Sequence, residues 1–291
     1  MAGSSDRVRR RAREQHEAQR QAHLARQRRN RQRFGVGFAV LCVLGLAVGL
    51  SAAFAGGGSP AAAKKPAATA SASASASATT SAAAVTEPAT HCTYTASSAG
   101  TVSKASLPPA TPAYKAAYTA SINTSLGPIK IDLANSKATC TVNSFAHLAS
   151  TGFWNNTQCH RVSDSGGLYM LQCGDPTAKA SEKLSCSSAT LGTGGPGYEF
   201  ASENLTGATY PAGTVAMANT GTADSNGSQF FLVFKNTSLP ASYTPFGTIT
   251  SGLDILQNVA KAGTSCTMSA GGGVPKEKVI IDSVSIKKTT A

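Results

Sequence analysis

The run Tyr118-Thr119-Ala120-Ser121-Ile122, then Leu126-Gly127-Pro128, then Ile129-Lys130-Ile131-Asp132-Leu133 sets the fold class. Apolar and polar residues alternate on both sides of a Gly-Pro turn. A strand sends successive side chains to opposite faces, so the two runs predict a β-hairpin. Short apolar runs recur at 168–173, 213–219, 229–234 and 246–250, and 279–286 reads as a closing strand. Within this part of the chain only two helices are expected. One has Thr141 as its cap, Phe145 and Leu148 on one face and Gly152 as a stop signal. The other covers 253–260, with Leu253, Leu256 and Ala260 on one face and Gly263 after it. Many short strands with few helices suggest a closed barrel.

The chain has 291 residues and a formal net charge of +12. That length allows one or two domains. The positive charge is concentrated at the start, where residues 1–33 hold eleven arginines against three acids (Asp6, Glu14, Glu17). The rest is only mildly basic, so no nucleic-acid partner is expected. The Ile, Leu, Val and Phe content of the second half excludes a wholly disordered chain.

Residues 34–55 carry no charge over 22 positions, enough for a helix across a hydrocarbon core of ~30 Å. The arginine run before this segment predicts a cytoplasmic N-terminus and an extracytoplasmic remainder. Ala53-Phe54-Ala55 also fits a signal-peptidase site, but the apolar run exceeds the usual signal length, which favours an uncleaved anchor. Gly45 and Gly49 form a GxxxG pair, which packing or simple membrane composition explains. From 56 to about 90 the chain is Gly, Ala, Ser, Thr and Pro. Such a segment buries too little apolar surface to order itself, and its reach is roughly 30–35 Å. The expected organisation is a basic tail at 1–33, a transmembrane helix or signal anchor at 34–55, a low-complexity linker at 56–113 and a folded domain at 114–291.

Cys42 lies within the apolar span. The other six cysteines (Cys92, Cys140, Cys159, Cys173, Cys186, Cys266) fall on the expected outer side. An even number in an oxidising compartment suggests disulfides, with many pairings open. If Cys159 and Cys173 lie on two arms of one hairpin, their placement about its turn brings them together. The partner of Cys140 stays unassigned. No metal site is expected, since there is no CxxC pair or tight His/Cys cluster.

The remaining motifs carry the chemistry. His91, Asp132 and Ser165 echo the chain order of a chymotrypsin-like protease, but too few residues separate them for that two-barrel frame. The specific signal is Cys159-His160-Arg161, Gln172-Cys173-Gly174-Asp175, Met217-Ala218-Asn219, Asn226-Gly227-Ser228-Gln229-Phe230-Phe231 and Tyr243-Thr244-Pro245-Phe246-Gly247. These segments resemble the cyclophilin family of peptidyl-prolyl isomerases over roughly residues 115–288. The tail, span and tether look like its anchored members in actinobacteria.

The resemblance implies a mainly β fold, a closed eight-stranded antiparallel barrel capped by two α-helices. It implies binding of proline-containing polypeptides and rotation of their X-Pro bonds in exported or cell-envelope proteins, with no cofactor, because no bond is broken. By motif position, Arg161, Gln172 and Phe231 are the catalytic candidates. Tyr169, Met170, Ala218, Asn219, Gln229, Leu239 and Tyr243 fall on positions that line the groove. Without these motifs, Arg161 would read as half of a surface ion pair, and Met170 and Phe231 as plain core. Phe230 points the other way on its strand and reads as core. His160 reads as structural, and Trp154 as packing near the first helix. A module that grips proline segments without turnover is the alternative.

Several positions depart from the family pattern. The turn at 163–167 is longer than usual, and Tyr169 stands where a phenylalanine is common. Ser238 replaces the tryptophan that bonds cyclosporin in animal members, and Tyr243 replaces a histidine. Cyclosporin binding is therefore expected to be weakened. An inhibition curve should show potency well above the nanomolar range, and nanomolar inhibition contradicts this reading.

Overall fold

The computed structural model describes residues 88–98 and 104–290, all within the unit Thr79–Ala291. The basic tail, the apolar span and the tether up to residue 87 lie outside the described residues. In chain order the strands are β1 (Thr95–Ala96), β2 (Ala116–Thr124), β3 (Gly127–Leu133), β4 (Thr157–Gln158), β5 (Arg161–Ser165), β6 (Leu168–Cys173), β7 (Tyr198–Glu199), β8 (Thr214–Met217), β9 (Phe230–Val233), β10 (Pro245–Ser251) and β11 (Ile280–Thr290). Helix α1 is Thr139–Ser150 and α2 is Leu253–Ala262. Among the described residues no helix is long and apolar enough to cross a membrane.

The opening hairpin forms as its alternation requires. Ile122 pairs with Ile129 and Ala120 with Ile131, which puts one apolar row on one face. The turn sits one step earlier than expected, because Thr124 faces Gly127 across Ser125-Leu126. The Thr124 hydroxyl fastens it by donating to the Gly127 carbonyl at 2.7 Å.

The large sheet is antiparallel throughout, in the order β4-β11-β2-β3-β10-β8-β9-β6-β5. It therefore has nine strands, where eight were expected. The extra one is the two-residue β4, too short to leave a periodic signal. The sheet curls around a core in which Phe145 of α1 meets Trp154 at 4.7 Å, Phe246 at 5.2 Å and Phe230 at 5.5 Å between ring centres. Trp154 thus packs on the first helix, as its position suggested. Its indole N–H donates to the Ser228 carbonyl at 3.2 Å.

The expected cap of α1 is displaced. The helix begins at Thr139 with no side-chain cap from its own N-cap residue. Its open N–H groups are taken from afar, with Cys140 and Thr141 donating to the two carboxylate oxygens of Glu203 at 3.0 and 2.7 Å. A negative charge at a helix N-terminus is favourable, so a residue 62 positions away in sequence does the work of a local cap. Helix α2 ends as predicted on Gly263, which adopts φ of 80°.

The segment 92–113, read above as linker, is tied to the folded unit. Cys92 is bonded to Cys140, and β1 pairs with β7. Beyond residue 103 the Ala105 N–H donates to the Pro196 carbonyl at 2.9 Å. Compositional bias up to residue 90 does not extend to this strap, which the disulfide holds. The other bridges join Cys159 to Cys173 and Cys186 to Cys266. Closing a loop of 48 residues stabilises a fold by roughly 2–4 kcal/mol. Replacing Cys92 and Cys140 together by serine should lower the unfolding free energy by about that amount. Chemical denaturation of the parent and the variant checks it.

Candidate active site

Strand alternation divides the motif residues between two faces of one wall. Phe230 packs into the main core, with Leu171 and Leu232 beside it. Their neighbours Met170, Phe231, Ala216 and Val233 form a separate cluster with Tyr210, against which Leu168, Leu239 and Tyr243 rest. The double phenylalanine therefore gives one ring to the interior and one to an outer groove. The Phe231 ring meets Tyr243 edge to face, with centres 5.7 Å apart.

Arg161 stands at the start of β5, directly across from Gln172 on β6. The turn that joins these strands, Gly166-Gly167, takes φ of 63° and 82°. Both values lie in the left-handed region that glycine enters without cost, and they form a tight hairpin turn. This hairpin places Cys159 and Cys173 together, as the conditional pairing required.

The guanidinium of Arg161 is held on three sides. Nε donates to the Gly271 carbonyl at 2.7 Å and Nη2 to the Ala270 carbonyl at 2.7 Å. Nη1 donates to Oε1 of Gln172 at 3.1 Å. The chain of amides continues, with Gln172 Nε2 donating to Oε1 of Gln229 at 2.9 Å. Gln229 Nε2 in turn donates to the carbonyls of Gly192 at 3.0 Å and Gly194 at 2.8 Å. A guanidinium has five N–H groups, so two remain outside these bonds. Burial lowers the pKa of Arg161, and the nearby Tyr243 pushes it back up. The group stays a cation across the working pH range.

Beside this cation lies a cavity of about 120 Å³ lined by Arg161, Leu168, Met170, Gln172, Ala218, Asn219, Phe231, Leu239 and Tyr243. Eight of the ten residues singled out from the sequence meet here. Gln229 stands just behind them, orienting Gln172 and lining a second cavity of about 310 Å³. That larger space shares Gln172, Ala218 and Asn219 with the first, and the run from Gly192 to Glu199 forms much of its wall.

Tyr169 is the exception. It packs against the main core, its ring edge-on to Phe234 at 6.4 Å and covered by the Lys235 ammonium at 4.4 Å. The period of two turns it away from Met170, and Leu168 takes its place in the groove. Asn219 is also more committed than expected. Its amide donates to the Ser242 carbonyl at 2.8 Å, and its oxygen accepts from the Gly221 N–H at 3.1 Å. Sequence reasoning missed Leu168, which alternation from Met170 would have found. It also missed the four carbonyls that hold Arg161 and Gln229, which have no side-chain signature.

Comparison with known proteins now decides the family. The family model described as "Cyclophilin type peptidyl-prolyl cis-trans isomerase/CLD" matches residues 119–286. The chain belongs to the cyclophilin family. A relative from Mycobacterium leprae named probable peptidyl-prolyl cis-trans isomerase B is 44% identical over 188 residues, covering 60% of this chain and 58% of that protein. Its namesake from Mycobacterium tuberculosis is 43% identical, over 60% and 56%. The chain thus spans a little over half the length of these relatives. A solved Cryptosporidium parvum cyclophilin type isomerase aligns with a TM-score of 0.48 at 26% identity, covering 60% of this chain and 99% of that one.

In this cyclophilin, His160 points away from Arg161 into the protein and is 1% exposed. Its Nδ1 has no hydrogen-bond partner among the described residues. Burial pulls its pKa from 6.5 down to about 4, against the pull of Asp175 and with that of Arg161. The folded state therefore holds a neutral imidazole that the unfolded chain would protonate first. That contribution to stability is complete above pH 6.5 and is lost as pH falls towards about 4, amounting to roughly 3 kcal/mol. Thermal unfolding from pH 7 to 4.5 should show a steeper loss for the parent than for His160→Gln, whose slope keeps only the other groups. Equal slopes contradict the assignment.

Proposed function

We propose that this chain catalyses cis–trans rotation of X-Pro peptide bonds. The observation that carries the reading is Arg161, a fixed cation facing the same small apolar slot as Met170, Phe231 and Leu239. Rotation is slow because the amide nitrogen shares its lone pair with the carbonyl, a barrier of ~18–20 kcal/mol. At half rotation that sharing is lost, and the prolyl nitrogen is pyramidal with a localised lone pair. A preorganised donor beside that nitrogen binds the twisted form more tightly than either planar form, and this difference lowers the barrier. Arg161 supplies the donor. Gln172 fixes the guanidinium plane, and Gln229 fixes Gln172. Phe231, Met170, Leu168 and Leu239 hold the proline ring, while Ala218, Asn219 and Tyr243 border the peptide on either side. No proton transfer or covalent step is asked of these residues.

The same proposal takes the nine-stranded sheet as a closed barrel. Its edge strands β4 and β5 are separated in sequence by Cys159 and His160 alone. It also takes the site to act on the outer side of a membrane. The uncharged run at 34–55 and its arginine-rich flank support that placement, as do the three disulfides, which persist in oxidising compartments. The substrates would then be exported chains that carry proline.

Isomerisation of a short Xaa-Pro peptide should be accelerated by the parent. Arg161→Ala should lose about a hundredfold or more in kcat/KM, as for removal of one preorganised donor. Arg161→Lys should recover little, since an ammonium cannot reproduce a planar fork held by three acceptors. Binding of the peptide without acceleration by the parent would favour the non-catalytic module instead.

A further inference from the structure

The insert at 176–194 lies outside the sheet and makes no part of the slot. Both of its ends are nevertheless fastened near the active residues. Asp175 accepts from the Thr177 N–H at 2.8 Å and from the Gly192 N–H at 2.5 Å, which pins the start and finish of the insert to one carboxylate. Its middle carries Cys186, bonded to Cys266 in the loop 264–275. Ala178, Leu191 and Val274 form a small separate core beneath this junction.

The polar chain through Arg161, Gln172 and Gln229 ends on main-chain carbonyls in both directions. One end rests on Ala270 and Gly271, the other on Gly192 and Gly194. Those two pairs of carbonyls belong to two segments that the Cys186–Cys266 bridge makes into one covalent unit. The tip that presents Ala270 and Gly271 needs such a tie. It is exposed, and Gly271 and Gly272 take φ of 81° and 68°. A glycine-rich tip loses much freedom on ordering. Its bonds run within the loop, where the Met268 N–H donates to the Gly272 carbonyl and the Met268 carbonyl accepts from the Gly271 N–H, or to β5 through Val162 and Gly273.

We propose that Cys186 and Cys266 are positioning residues for the isomerase. Their bridge, which spans 80 positions in sequence, holds the 264–275 loop so that Ala270 and Gly271 fix the guanidinium of Arg161 in its productive plane. This rests on the reading of Arg161 given under the proposed function. Without the bridge the tip drifts, the fork keeps only its bond to Gln172, and the donor leaves its place beside the prolyl nitrogen. Misplacement by about 1 Å is enough to cost a large factor in rate.

The test uses the full chain with Cys186→Ser and Cys266→Ser together, and Cys92→Ser with Cys140→Ser as a control that cuts a bridge away from the loop. Two readouts are compared: kcat and KM on an Xaa-Pro peptide, and the NMR signal of the Arg161 Nε–H with its exchange rate. The expected result is a fall of about tenfold in kcat with little change in KM, and loss of exchange protection at Nε, while the control keeps both. Parental kcat with an unmoved Nε signal overturns the proposal. The Nε signal needs no turnover. An inactive parent would sink the isomerase reading while the signal still decides whether the bridge holds the arginine. Should the double variant fail to fold, mild thiol reduction of the folded control, which lacks the Cys92–Cys140 bridge, gives the same readout, because Cys186 and Cys266 are partly exposed while Cys159 and Cys173 are buried. An Nε signal unchanged by that reduction also overturns the proposal.

Discussion

A cation beside an apolar slot faces two opposed demands. It must be partly dried, so that its field is strong, and it must be hydrogen-bonded, because an unpaired buried charge is costly. Arg161 meets both with three neutral acceptors, two carbonyls and one amide oxygen. A carboxylate partner would satisfy the charge and also neutralise the field that the site depends on. Neutral acceptors fix the fork while leaving its charge unspent. The amides of Gln172 and Gln229 then need partners of their own, so the requirement passes outward until it ends on backbone.

The sheet supplies the other half of the arrangement. Because side chains alternate, one wall serves as the lid of the core and as the floor of the groove. Phe230 and Leu171 anchor that wall from inside, next to Phe145 and Trp154. Phe231, Met170 and Gln172 then stand on its outer side on strands that pair directly, Gln172 opposite Phe231. A groove built on paired strands is held to the precision of the ladder, not of a loop. The loops contribute the less rigid parts, the carbonyls near Gly192 and Gly271.

Much of this was legible beforehand, and the reasons differ from element to element. The hairpin at 118–133 showed in its alternation, strand β6 in its short apolar run, and α2 in its spacing and terminal glycine. The motif positions located the groove, except at Tyr169, which matches a family position of the pocket but is turned to the core by the period of two. Strand β4 was invisible because two residues carry no period. The strap beyond residue 92 escapes a local reading because a low-complexity run precedes it, and its ties, the Cys92–Cys140 bridge, the β1–β7 pair and the bond from Ala105, all reach distant residues. Glu203 capping α1 from 62 positions away could not be read either, because a distant carboxylate leaves no local pattern. The same holds for the carbonyls around Arg161, since every residue owns one.

The long pairing between β2 and β11 reaches beyond the groove. Residues 116–124 complete their ladder only with residues 280–290, and β11 also carries β4 on its other side. During synthesis β2 pairs with β3 early but waits for residues 280–290 before its second partner exists. Such a topology places the fold among the slower ones, because distant contacts must close before any of them is rewarded. Until that moment the outer edge of β2 carries unpaired backbone groups, the kind of edge on which a foreign strand can add.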